Sequence, residues 1–204
     1  MNKNLLIVGA GIYAVVASEI AADTGLFDKV DFVDDMKKET PTGSKVIGTT
    51  DDLTALATNY DSIVVAIGNP KVRLAMLERI KAETSYQIVS LVSPRAYISP
   101  SAQVKQGCIV EPMAVVQSGC VIGEGCIISA GAVVNHASIC FDGVHVDCNA
   151  TVDGYCNVPS GLKICSGEVF RKESSLDTND VRQDISKQYS KEIDGLEYTF
   201  ESGM

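Results

Sequence analysis

The sequence predicts a small α/β domain of Rossmann type, then a parallel β-solenoid, then a charged, helical C-terminal tail. Three observations carry that expectation. Strand-like and helix-like runs alternate through the first ninety residues, an aliphatic residue recurs every six positions from Val92, and the recurrence stops after Phe170. The expected divisions are 1–90, 91–170 and 171–204.

In the first division NLLIVG, KVDFVDD, SIVVAIGN and QIVSLV read as strands, with IYAVVASEIAAD and KVRLAMLERIKAE as crossover helices of a parallel sheet. Gly9, Gly11 and Ala14 spell GxGxxA at the first strand-to-helix turn, where the backbone can come close to an anion, above all a phosphate. Taken alone, GxGxxA is better explained by simple helix-strand packing. Asp34 and Asp35 end the second strand, where a carboxylate can accept hydrogen bonds from a sugar or base. A nicotinamide-dependent oxidoreductase would show the same signals, but a solenoid offers it no hydride-transfer site.

The six-residue unit carries its aliphatic residue at position 1: Val92, Ile98, Val104, Val110, Val116, Ile122, Ile128, Val134, Cys140, Val146, Val152, Val158 and Ile164. Position 5 is almost always small, as in Ala96, Ala102, Cys108, Ala114, Cys120, Cys126, Ala132, Ser138, Ala150 and Cys156. Large at 1 and small at 5 is the pattern of a coil with position 1 filling the interior. Five cysteines therefore belong to the core, where a free thiol behaves as a small hydrophobe; Cys148 and Cys165 fall outside the register. His136 and His145 are the chain's two histidines, and His136, at position 3, is expected to point out of the coil. In the tail, Val181, Ile185, Tyr189 and Ile193 mark one helical stripe suited to capping the solenoid's open end.

A net charge of −9 excludes a phosphate-backbone binder, so no nucleic-acid partner is expected. The opening apolar run is broken by glycines, so neither membrane insertion nor a leader is expected, and a cytoplasmic protein is. Seven cysteines without a CxxC pair disfavour a disulfide framework and a zinc ribbon.

Five stretches in order, LLIVGAGIYAVVASEIA, FVDD, AIGN, YISPSA and AVVNHASICFDGVHVD, resemble the NeuD/PglD-like sugar acetyltransferases of the hexapeptide-repeat class. The resemblance implies a left-handed parallel β-helix, a homotrimer, and acetyl-CoA as co-substrate in the grooves between neighbouring prisms. It implies His136 as general base, because an amine attacking a thioester must lose a proton and imidazole titrates near the working pH. His145 would lie beside the acetyl group, with Gly131 supplying an oxyanion N–H and Asn135 nearby. A nucleotide sugar would occupy the first domain, with Gly9, Gly11 and Tyr13 at the phosphate turn, Asp34 and Asp35 on the nucleoside or sugar amine, and Gly68 with Asn69 opposite. The expected activity is acetyl transfer to the amino group of that sugar, in polysaccharide biosynthesis.

The chain departs from the family twice. Ala137 stands where relatives carry an acid, which leaves Asn135 or Asp142 to orient the base, and the repeat ends before a terminal GxPAK-like segment. The alternative is a non-catalytic sugar-nucleotide-binding relative. A metal held by histidines between prisms is disfavoured with two per chain, and no metal is expected.

Overall fold

The computed structural model describes residues 3–171. The tail expected over 171–204 lies outside the described residues, Arg171 excepted.

The N-terminal run NLLIV forms β1 (Asn4–Val8), which is central in a parallel sheet of order β3-β2-β1-β4-β5, with β2 Lys29–Val33, β3 Val46–Gly48, β4 Ser62–Val65 and β5 Gln87–Ile88. Its side chains alternate between two layers. Leu5 and Ile7 pack with α1 (Ile12–Thr24), while Leu6 and Val8 join Leu53, Leu77 and Ile80. A strand covered on both faces reads as an unbroken apolar run. Beyond the expected elements the domain has β3, a three-residue edge strand, and the short helical segment Thr50–Asp52 with α2 (Leu53–Leu56) that follows it. QIVSLV, expected as one strand, differs too. The run is two: Gln87–Ile88 closes the first sheet, and Leu91–Val92 opens the solenoid. The Val89 N–H bonds the Ile63 carbonyl and the Leu91 N–H bonds that of Cys108, so the chain changes sheet within two residues.

From Leu91 to Phe170, two-residue strands pair in parallel with the strand eighteen positions away, so three six-residue units make each coil of the left-handed β-helix. Three faces result. The first contains Leu91–Val92, Ile109–Val110, Ile127–Ile128, His145–Val146 and Lys163–Ile164; the second runs from Tyr97–Ile98 to Val169–Phe170; the third runs from Gln103–Val104 to Asn157–Val158. Positions 1 and 5 form one continuous core, and the five in-register cysteines are buried in it. Each fully buried aliphatic side chain there contributes roughly 1.5 to 3 kcal/mol.

Position 4 turns each edge of the prism through a left-handed conformation. Gly107, Gly119, Gly125, Gly131, Gly143, Gly161 and Gly167 occupy it, together with Met113, Ala137, Asn149 and Tyr155.

The edge between the third and first faces stacks Gly107, Gly125, Gly143 and Gly161, and helix α3 (Pro70–Glu83) lies along it. A Cβ on Gly125 would stand 2.6 Å from Leu77 Cδ1, and one on Gly143 would stand 2.7 Å from Leu74 Cδ1. Arg73, fully buried, locks this contact: its Nε donates to the Gly125 carbonyl at 2.6 Å, Nη2 to that of Gly143 at 2.8 Å, and Nη1 to those of Ile67 and Gly68. Burial lowers its pKa, and four carbonyl acceptors compensate the buried charge.

Candidate active site

The glycine-rich turn is built from both ends. Gly9 has φ 111°, and a Cβ there would stand 3.0 Å from the Ala66 carbonyl oxygen, so only glycine lets β1 run this close to the end of β4. Gly11 caps α1 in an extended conformation. Asp34 organises the turn: Oδ2 accepts from the Ala10 N–H at 2.8 Å, and Oδ1 accepts from the N–H groups of Met36 and Lys37. Burial pushes its carboxyl up, but these three donors prevail and hold it below the usual range. Asp35 takes the N–H and hydroxyl of Thr50. Asn69 caps α3, accepting from the N–H groups of Lys71 and Val72, while the Gly68 carbonyl serves Arg73. Both aspartates, and Asn69, are thus engaged by the chain itself. Lys37 went unnoticed in the sequence; its Nζ hangs 3.9 Å from where a Gly11 Cβ would stand, a cation beside a helix N-terminus.

The first face of the prism meets this domain. Leu91 and Ile109 share a core cluster with α1, and just beyond them the face turns polar. Glu111, Ser129 and His145 are buried there; the Glu111 carboxylate accepts the Ala130 N–H at 3.1 Å, and Ser129 Oγ lies 3.1 Å from His145 Nε2. Among the described residues, His145 Nδ1 is buried without a hydrogen-bond partner, and so is the Tyr13 hydroxyl by strict geometry, with the Glu111 carboxylate its nearest polar neighbour. Burial, then the Lys163 charge, push His145 down to about 4, with Asp147 opposing. Burial, then the Glu111 carboxylate, push the Tyr13 hydroxyl well above its ordinary range. Glu111 is raised too, chiefly by burial. Two orphaned polar groups in one buried patch are a place where a ligand or water can supply the missing bonds.

His136 lies elsewhere. It is exposed at the edge between the second and third faces, opposite the first face, with Ser118, Ala137, Gly154 and Tyr155 around it. As expected from its register, it points out. Its ring meets Tyr155 edge-on, with centroids 5.1 Å apart at 89°. Gly131 belongs to a third edge, where a Cβ would collide with Asn149 Oδ1. Asn135 sits beside His136 in the ladder, its N–H bonded to the Val152 carbonyl. Asp142, one of two residues expected to orient the base, is on the α3 edge, where Oδ1 accepts the Glu124 N–H at 2.7 Å. It cannot reach His136 within one chain.

The structure therefore brings Tyr13 and His145 to one side of the prism and leaves His136 on the other. Glu111, Ser129, Gly154 and Tyr155 were missed in the sequence. Their signal is the eighteen-residue coil, which aligns Glu111 with Ser129 and His145's neighbour Asp147, and His136 with Gly154. Among the described residues no group of three or more His, Cys, Asp or Glu could hold a metal ion, and no helix is long and apolar enough to cross a membrane.

Two family models match the chain: the PglD N-terminal domain over residues 4–80, and the bacterial transferase hexapeptide (six repeats) over residues 91–136. Among curated proteins no match is found. Among solved structures, the acetyltransferase domain of PglB from Neisseria gonorrhoeae in complex with acetyl coenzyme A is 30% identical, covering 83% of this chain and 93% of that one, with TM-score 0.74. A variant of perosamine N-acetyltransferase from Caulobacter crescentus, in complex with CoA and GDP-perosamine, is 21% identical over 83% of this chain and 89% of that one, with TM-score 0.64. WeeI from Acinetobacter baumannii is 17% identical over 83% and 92%, with TM-score 0.63. These last two share the fold. Since the PglB domain is spanned almost end to end and both family models fall in order along the α/β sheet and the prism, the chain belongs to the NeuD/PglD-like hexapeptide-repeat acetyltransferases and is an acyltransferase.

Proposed function

We propose that the protein moves an acetyl group from acetyl-CoA to the amino group of a nucleotide-linked amino sugar, with His136 as general base. The carrying observation is the contrast between the chain's two imidazoles. His145 is buried and depressed to about 4, a poor base near neutrality, whereas His136 is exposed on an open edge. The PglB relative bound to acetyl coenzyme A and the perosamine enzyme bound to CoA and GDP-perosamine support the two substrate classes.

The nucleotide sugar occupies the glycine-rich turn, its phosphates at the α1 N-terminus near Gly9, Gly11 and Lys37, and its sugar toward Tyr13, with Asp34, Asp35, Gly68 and Asn69 shaping the rim. Because His136 lies opposite the face that carries Tyr13 and His145, a complete centre needs a second copy of the chain. A homotrimer with neighbouring prisms side by side brings one copy's His136 edge to the next copy's first face and forms a groove for acetyl-CoA. There His145, Gly131 and Asn135 contact the coenzyme. The sugar nitrogen attacks the thioester carbon as His136 takes its proton; the C–S bond then breaks, and His136 returns the proton to the leaving thiolate. Holding both reactants together supplies several kcal/mol of the lowered barrier, in the range of about 7 to 11 for well-oriented pairs.

The test is thiol release from acetyl-CoA in the presence of UDP- and GDP-linked amino sugars. Wild type turns over, and His136→Ala loses about 10²- to 10⁴-fold in kcat while still binding coenzyme in calorimetry. Wild-type turnover in the variant would dismiss His136 as the base. A wild type that neither releases thiol nor binds coenzyme would dismiss the substrates proposed here.

A further inference from the structure

Ala137 gives His136 no adjacent carboxylate, Asp142 sits on another edge, and Asn135 is tied into the ladder through its N–H, so the groups packed on the ring itself matter most for its orientation. The geometry points to the next coil: Gly154 and Tyr155 form the seat that orients His136, in place of the acid this chain lacks. The inference rests on His136 being the base.

Two observations made at neighbouring positions carry it. Gly154 is absent from the residues with positive φ, so its backbone suits any amino acid. Yet a Cβ there would stand 3.0 Å from both Cε1 and Nε2 of His136, and among the described residues beyond its chain neighbours the three nearest atoms all belong to that ring. The imidazole is therefore what a side chain at this position would meet. Tyr155 shows the converse. It occupies the left-handed turn position with φ 59°, where seven of the eleven units from Gly107 to Gly167 carry glycine, and a bulky side chain there is strained. The residue is 58% exposed and gains little from burial, but its ring stands at 89° to the imidazole with centroids 5.1 Å apart. The Tyr155 N–H also donates to the His136 carbonyl at 3.1 Å, tying the two turns together. A floor without a Cβ and a wall with an aromatic ring leave the imidazole one way to lie. Tyr155 and Gly154 are positioning residues, acting through His136.

The test uses the full chain with four variants, reading kcat, KM, Tm and the His136 Cε1–H NMR shift. Tyr155→Leu lowers kcat about tenfold with KM for both substrates within about twofold, as misplacement of a catalytic group does. Tyr155→Phe keeps the ring and stays within about twofold of wild type. Tyr155→Asn suits the left-handed turn, so Tm holds or rises while kcat falls about tenfold, a divergence that a merely structural role does not produce. Gly154→Ala lowers kcat by a similar factor with Tm nearly unchanged. The His136 resonance moves in Leu, Asn and Ala variants and stays put in Phe. Wild-type kcat in Tyr155→Leu and Gly154→Ala, with His136→Ala inactive, overturns the seat and leaves the base standing. An active His136→Ala removes the base instead, and an unmoved resonance in all four variants refutes the contact itself.

Discussion

His136 and His145 are nine residues apart, carried by the same repeat, and meet opposite conditions. His145 is on the first face, beneath the α/β domain, 8% exposed and bonded to Ser129. His136 is on the one edge that neither α3 nor the first face adjoins. The difference arises from which side of a threefold prism the N-terminal domain covers. Along the covered side, packing chooses the residues: glycines under Leu74 and Leu77, and a buried Arg73 bonded to carbonyls. Along the open side the turns tolerate Ala137 and Tyr155, and outward side chains are free to serve chemistry. A repeat that looks uniform thus has one edge shaped by packing and one left open.

The covered edge breaks most severely at Arg73. Replacing it with Met leaves four carbonyls without their donor and should cost about 3 to 5 kcal/mol, or roughly 6 to 20 °C in Tm. Arg73→Lys should fall between, since an ammonium cannot span acceptors in two domains. Denaturation within about 1 kcal/mol of wild type for Arg73→Met would mean that leucine packing alone holds α3, and that this edge owes nothing to charge.

The difference between the edges was only partly legible beforehand. Period six and the large-small alternation at positions 1 and 5 revealed the solenoid because an interior this narrow admits no other pattern. His136 could be placed outward from its register for the same reason. Arg73 could not be found, since an arginine in an amphipathic helix ordinarily lies in water and its carbonyl partners are 52 and 70 residues away. QIVSLV hid a change of sheet because both halves are equally β-like. Gly154 and Tyr155 became readable only once the coil proved eighteen residues long, which sets them beside His136 and Ala137. Asp34 and Asn69 also accept hydrogen bonds from backbone N–H groups of their own chain, a structural duty that their place at strand and helix ends does not distinguish from ligand contact.

The covered imidazole should also be felt in acid. Unfolded, His145 titrates near 6.5; folded, only at about 4. Between those values the unfolded chain holds more protons, so stability falls as pH drops from 6.5 toward 4, by about 3 kcal/mol in all. Glu111, raised by burial, binds its proton more readily when folded and opposes this trend. Asp147, lowered to about 2 with Lys163 and the Cys148 N–H opposing its burial, loses its contribution only below the ordinary range near 3.8. The comparison that isolates His145 is therefore wild type against His145→Asn in urea at a series of pH values. The gap should change across the 4 to 6.5 window. A gap that stays constant through that window would mean that burial does not hold the His145 imidazole neutral.

The smallest difference is also the most controlled. Gly125 and Gly119 both have φ in the left-handed region, 61° and 69°, at equivalent positions of adjacent edges. Alanine adds the same backbone strain at either, about 1 kcal/mol. Only at Gly125 does the new methyl meet a packed side chain, Leu77, at 2.6 Å; at Gly119 its nearest neighbours are backbone atoms of Ala137 at 3.8 Å. Gly125→Ala should therefore be the less stable of the pair by about 1 to 2 kcal/mol, the range of overpacking in a core. Leu77→Val in the Gly125→Ala background should recover part of that gap by making room for the methyl, and it should bring no such recovery beside Gly119→Ala. If the two alanines cost the same, the glycine stack under α3 reflects the turn alone, and the edge is covered without having been shaped for its helix.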